Sequence, residues 1–263
     1  MHRVPSLFAM LLLLAAVRVA AASVEQASLT VKGTEFRIQL SGGRELRSAE
    51  LVGAVLSWRD GGHLHRIRID AVEPDSRHAD VMLHSLSVLD ESTSRWQPLC
   101  LPDATGRRIG FPLALDPSGD KSGERFTLTC TAGAEAKCVR MGYGPWKVLP
   151  DGRSMADTFH ACIHLVRADY CGDGQASTHD GTVIDVYDAI GIQEPDTDAA
   201  LPFEAAWSRD GAVCVARTRV PAVKTLGQVV QQCPRLAAIA PECTEARMRS
   251  RGDVLLFNRS RAQ

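Results

Sequence analysis

The sequence predicts an α+β fold: an N-terminal antiparallel β region followed by a disulfide-stabilised α+β region. Three observations carry the prediction. The first hundred residues hold strand-like runs of apolar and β-branched residues separated by turn residues. All eight cysteines fall after residue 99, at Cys100, Cys130, Cys138, Cys162, Cys171, Cys214, Cys233 and Cys243. From there on, strand-like and helical periodicities alternate.

Residues 1–22 read as a cleaved secretory signal peptide. Arg3 supplies the positive end, Leu7 to Val17 the apolar run, and Ala20-Ala21-Ala22 the small-residue cleavage site. The run is shorter than the roughly 20 apolar residues a membrane helix needs, and Arg18 interrupts it. No later segment approaches that length, so no transmembrane segment is expected after signal removal. Removal takes Arg3 and Arg18 and no acidic residue, leaving 28 basic against 31 acidic side chains. A near-neutral chain lacks the clustered positive charge that nucleic acid demands. An even cysteine count behind a signal peptide implies disulfides in an oxidising compartment, the periplasm or the exterior. Eight cysteines allow 105 pairings, so their connectivity stays open.

Residues 23–101 form the β-rich region. The segments SAELVGAVLSW and HLHRIRIDAV flank Arg59-Asp-Gly-Gly62, a hairpin signal. A further strand, ADVMLHSLSVL, places Val81, Leu83, Ser85 and Ser87 on one face. The Pro- and Gly-rich passage after Cys100 marks a boundary, and residues 102–263 form the cysteine-rich α+β region. There ERFTLTC reads as a strand and GAEAKCVRMG as a short helix. SMADTFHACIHLVRADY is the clearest helix, with Ser154 and Asp157 as a capping pair and a stripe of Met155, Phe159, Cys162, Ile163 and Val166. GTVIDVYDAIGI is a strand. PFEAAW and AVCVART form a hairpin about Ser208-Arg-Asp-Gly211. A helix over TLGQVVQQCPRLAAIA is interrupted at Pro234, where the missing donor must end or kink it, and DVLLFN is the last strand.

Candidate chemistry concentrates in HACIHLVRADYCGDG, residues 160–174. Cys171 on a Gly-rich turn, with His160, His164 and His179 near in sequence, has the composition of a thiol nucleophile and its base. Against this, an oxidising compartment favours a bridge, and a bridged sulfur cannot attack. Asp157, His160 and His164 share one helix face, but Ala161 stands where helical zinc hydrolases carry a glutamate and Arg167 continues the face. That face reads as solvated. His63 and His65 share a strand face without a third ligand. Asp169, Asp173, Asp180, Asp185 and Asp188 lie among glycines, which suits calcium, yet the spacing misses the calcium-loop pattern. Turn and cap roles are the simpler account, with Asp173 and Asp180 the pair for acid/base work. No phosphate-binding loop, dinucleotide fingerprint or Gly-x-Ser-x-Gly elbow occurs, so no cofactor is expected. Asn258-Arg-Ser260 fits a glycosylation sequon. Tyr143, Trp146, Tyr170, Tyr187 and Trp207 are the aromatics able to meet in one pocket.

At Ala168-Asp169-Tyr170-Cys171 the chain resembles the ADYC domain family of secreted bacterial proteins. AKCVRMGYGPW (136–146), RADYCGDG (167–174), GTVIDVYDAIGIQ (181–193) and FEAAWSRDGAVCVA (203–216) extend the resemblance over about residues 95–220. The family commonly has an aromatic at the place of Met141 and a longer polar residue at that of Gly144. The resemblance implies one shared fold and brings no established activity. The sequence therefore favours an exported, non-enzymatic binding or cell-envelope interaction module, with an extracellular or envelope ligand as partner. Its alternatives are a secreted hydrolase using Cys171 with a histidine base or Asp173 and Asp180, and a calcium- or metal-dependent module using Asp169, Asp173, Asp180 and Asp185.

Overall fold

The computed structural model describes residues 27–60, 63–115, 123–196, 201–237 and 242–261. The predicted signal peptide and the Gly61-Gly62 turn lie outside the described residues. A first sheet joins β1 (Ala27–Lys32), β2 (Glu35–Leu40) and β3 (Glu45–Arg47) as an antiparallel meander. Gly33, at φ +61°, supplies the left-handed conformation that turns β1 into β2.

The central sheet holds β4 (Val55–Asp60), β5 (His63–Pro74), β6 (Met82–Asp90), β8 (Gly110–Ala114) and β9 (Phe126–Cys130) in that order. β7 (Arg95–Pro98) also pairs with β6. The predicted hairpin is present, with Asp60 opposite His63. Strands β8 and β9, although they follow residue 101, complete the sheet that β4 to β6 begin.

Both faces of this sheet are covered, and parity along the strands shows it. Ile67, Ile69 and Leu86 point to one core, shared with Val31 and Phe36 of the first sheet. Val81, Leu83, Ile109, Phe111 and Leu113 point to the other, shared with the helices. Val81 and Leu83 thus do share a buried face, while Leu86 is buried on the opposite one. A bulge between Ile69 and Ala71 of β5 lets the pairing change phase along the strand.

Beyond the central sheet lies α2 (Ala156–Arg167), with α1 (Ala134–Arg140) pinned to it by the Cys138–Cys162 bridge. The next layer is a second antiparallel sheet, in the order β10 (Ile184–Asp188), β13 (Leu256–Ser260), β11 (Phe203–Ser208), β12 (Gly211–Val215). One core runs through all three layers, from Leu83 and Phe111 through Phe159 and Leu165 to Trp207 and Leu256. Short helices α3 (Leu226–Gln232) and α4 (Glu245–Arg249) follow β12, and Pro234 opens a 3-10 turn where α3 stops.

All eight cysteines are bridged: Cys100–Cys130, Cys138–Cys162, Cys171–Cys233 and Cys214–Cys243, with Cα separations of 5.5 to 5.8 Å. The predicted capping pair does not form. Ser154 Oγ accepts from the Ala156 N–H at 3.1 Å, but Asp157 turns outward to Arg209.

Candidate ligand groove

The ADYC tetrapeptide lies where α2 ends, and each of its residues has a structural task. Ala168 takes the left-handed conformation (φ 49°, ψ 42°) that terminates the helix, and its methyl group is fully buried. Asp169 is buried and organises the following turn. Its Oδ1 accepts from the N–H groups of Gly172 and Asp173 at 3.0 and 3.1 Å, and its Oδ2 from Gly174 N–H at 2.8 Å and His164 Nδ1 at 2.9 Å. Burial alone would raise this carboxyl, but the His164 bond and the loop N–H groups hold it below the ordinary aspartate value. Tyr170 stacks on Trp207, ring centroids 5.5 Å apart, and its hydroxyl donates to Glu204 while accepting from Arg219 N–H at 2.8 Å. Cys171 bridges to Cys233.

Behind this turn lies a buried ion pair, 1% and 0% exposed at its two side chains, that sequence reading missed. All five donors of the Arg219 guanidinium are used. Two go to the Glu204 carboxylate at 3.0 and 3.1 Å, two to the carbonyls of Leu165 and Val166 at the end of α2, and one to Thr178 Oγ1. The cation therefore meets both a carboxylate and the negative end of a helix. A signal existed: Glu204 is a lone carboxylate in the otherwise apolar strand FEAAW, and a buried charge demands a partner.

A second carboxylate-centred turn mirrors the first. Asp188 accepts from Ile190, Ile192 and Gln193 N–H groups, and from the Tyr143 hydroxyl at 2.8 Å. Met141 sits beside it, its carbonyl accepting from the Gln193 side chain. Gly144 is where Trp146 packs: a Cβ there would come to 3.0 Å of the indole, so a longer residue would require the Trp146 side chain to shift.

The other sequence-nominated residues disperse. Cys171 has no thiol to offer as a nucleophile. His160 lies on the open face of α2, where partial desolvation of its ring against the helix and nearby Arg209 lower its pKa. Asp173 is exposed, accepting from the Gln175 N–H and the Gln232 side chain. Asp185 is buried on β10, and that burial raises its pKa. Among the described residues, no three His, Cys, Asp or Glu side chains come together as a metal site. Asn258 of the sequon is fully buried and accepts from Trp207 Nε1, so it is closed to glycosylation. Of the five aromatics, Tyr143, Trp146, Tyr170 and Trp207 pack in or against one core, and Tyr187 stacks on Phe257 in a separate one.

Of the nominated carboxylates Asp180 borders a groove, and the nominated His179 lines the same groove. A cavity of 630 Å³ opens between α1, the end of α2 and the loop preceding β10. Its apolar lining includes Met141, Val166, Val183 and Ile184, and its polar lining Lys137, Arg167 and Asp180, with Arg219 at the wall. The volume lies within the range of small-molecule sites, about 300–1,000 Å³. The ADYC turn and the Arg219 pair fix the helix end that forms one side of it.

A family model of the ADYC domain matches residues 48–221. The chain belongs to the ADYC domain family. The matched span of this ADYC domain begins well before residue 95, the start of the span over which the motifs suggest the resemblance, and takes in β4 to β7. That extent follows the sheet, because β8 and β9 pair onto the same strands. Cys233, Cys243 and β13 fall beyond the span, so two bridges and one strand fasten the ADYC domain to the C-terminal segment. No curated protein and no solved structure matches the chain. Among the described residues no helix is long and apolar enough to cross a membrane.

Proposed function

We propose that this protein is an exported, non-enzymatic binding module of the periplasm or cell exterior, whose ligand occupies the groove between α1, the end of α2 and the loop before β10. The groove itself carries the reading: it joins an apolar lining to cationic side chains on a rigid, bridged frame. The nominated nucleophile is spent in a bridge, and Asp169 and Asp188 are saturated by loop N–H groups. Export is supported by the signal-like residues 1–22 and by the four bridges.

Two measurements test this. N-terminal sequencing of the protein recovered outside the cytoplasm is expected to start after Ala22, and an intact Met1 would contradict export. The dye anilinonaphthalene sulfonate is expected to brighten on binding the disulfide-intact protein. Ala134, the first residue of α1, lines the groove, and the groove-filling variant Ala134→Trp should abolish that signal. Undiminished dye binding in the variant would place the ligand elsewhere.

A further inference from the structure

We infer that the groove takes a single-chain anionic amphiphile, an alkyl carboxylate, with its head between Lys137 and Arg167 and its tail along Met141, Val166, Val183 and Ile184. The inference rests on the groove reading above and adds the class of ligand.

Charge complementarity is the first support. The chain contains many arginine ion pairs, but Lys137 and Arg167 make none among the described residues. Arg167 lines the groove and donates one side-chain bond, to the carbonyl of Gly174 at 2.5 Å, which leaves its guanidinium donors to spare. Arg219 in the wall is neutralised by Glu204 and adds no free charge. The remaining charged group on the lining is Asp180, on the loop before β10, and His179 beside it is exposed. Two free cations face one carboxylate, so the head group that fits is an anion.

The apolar lining is the second support. Val183 is 52% exposed, one of the few large apolar side chains so open to water among the described residues. Met141, Val166 and Ile184 are half-buried beside it. Covering such a surface with an aliphatic tail removes apolar area from water, the main favourable term in binding an alkyl chain. Met141 is unbranched and adapts to a flexible tail.

Calorimetry on the disulfide-intact protein with octanoate, octan-1-ol and octyltrimethylammonium tests the inference. Octanoate should bind at least tenfold tighter than the ammonium compound. Lys137→Gln should weaken octanoate about tenfold, the scale of one charge-assisted hydrogen bond. Asp180→Asn should strengthen it, because a like charge is removed. Unchanged melting of both variants without ligand would show that the fold is untouched. If octan-1-ol binds as tightly as octanoate, the anionic head is wrong and the groove stands. If the ammonium compound binds best, the sign of the charge is wrong. If none of the three binds, the groove reading falls with it.

Discussion

The strands before Cys100 and the chain after it solve the same problem by different means. The problem is to pair every buried backbone N–H and carbonyl. Before Cys100, ladder pairing does most of this, and a few hydroxyls complete it together with Asp75 and Asp90, each of which accepts from a turn N–H. Ser48 Oγ accepts from the Phe36 N–H and meets His84 Nε2, each at 2.8 Å, and Thr34 Oγ1 accepts from the Met82 N–H. After Cys100 ladders persist in β8 to β13, but long connections run between them, and carboxylates organise those connections. Asp103, Asp169 and Asp188 each gather several loop N–H groups, and four bridges hold the loops to helices and strands. Loops without ladders need anchors. The residues that make this ADYC turn distinctive serve as those anchors.

The largest expected difference between the two regions comes from their ion pairs. Arg219→Met strands Glu204 in the interior and should cost about 3–5 kcal/mol in urea denaturation. Arg66→Gln, which breaks a solvent-facing pair with Glu91 before Cys100, should cost under about 1 kcal/mol. Equal effects would erase the contrast.

Bridges come next. Replacing Cys138 and Cys162 together by Ala frees a loop with a sequence separation of 24 residues. It should cost ~3–4 kcal/mol on the chain-entropy account, measured as a lowered urea midpoint.

Acid should expose the weak point of the cysteine-free region. His84 is fully buried on β6, and burial pushes its pKa down from 6.5 to about 4. The unfolded chain therefore binds more protons between these values. Stability is complete above pH 6.5 and falls as pH drops toward 4, by about 3 kcal/mol in all. His84→Gln should flatten that slope in urea titrations at pH 7 and 4.5, and an unchanged slope would remove His84 as its source.

The smallest contrast concerns two glycines. Gly172, at φ +74°, runs against the Asp210 carbonyl, so Gly172→Ala should cost about 2–3 kcal/mol. Gly43, at φ +83° with nothing near, should cost about 1 kcal/mol for the same change. Thermal melts of the two variants compare them.

Periodicity and turn chemistry made most elements legible. α2 showed its stripe from Met155 to Val166, and Ser208-Arg-Asp-Gly211 marked the β11–β12 hairpin. What spacing cannot carry is which distant segments meet. β13 inserts between β10 and β11, and nothing in DVLLFN names its neighbours. Asp157 looked like a cap because a local rule fitted, but Arg209, 52 residues away, claimed it. The Asp-rich run suggested one cluster, yet Asp169 and Asp188 centre separate turns and Asp180 borders the groove. The groove was hidden for the same reason: Lys137, Arg167 and Val183 come together only through the packing of α1 on α2 and the loop beyond them.

The measurement that bears most directly on this account is a disulfide map of the intact, unreduced protein by thiol labelling and peptide mass analysis. The account predicts no free thiol, with Cys171 joined to Cys233 and Cys138 to Cys162. A labelled, unbridged Cys171 would contradict it, because the ADYC turn would then hold a reactive sulfur in place of an anchor.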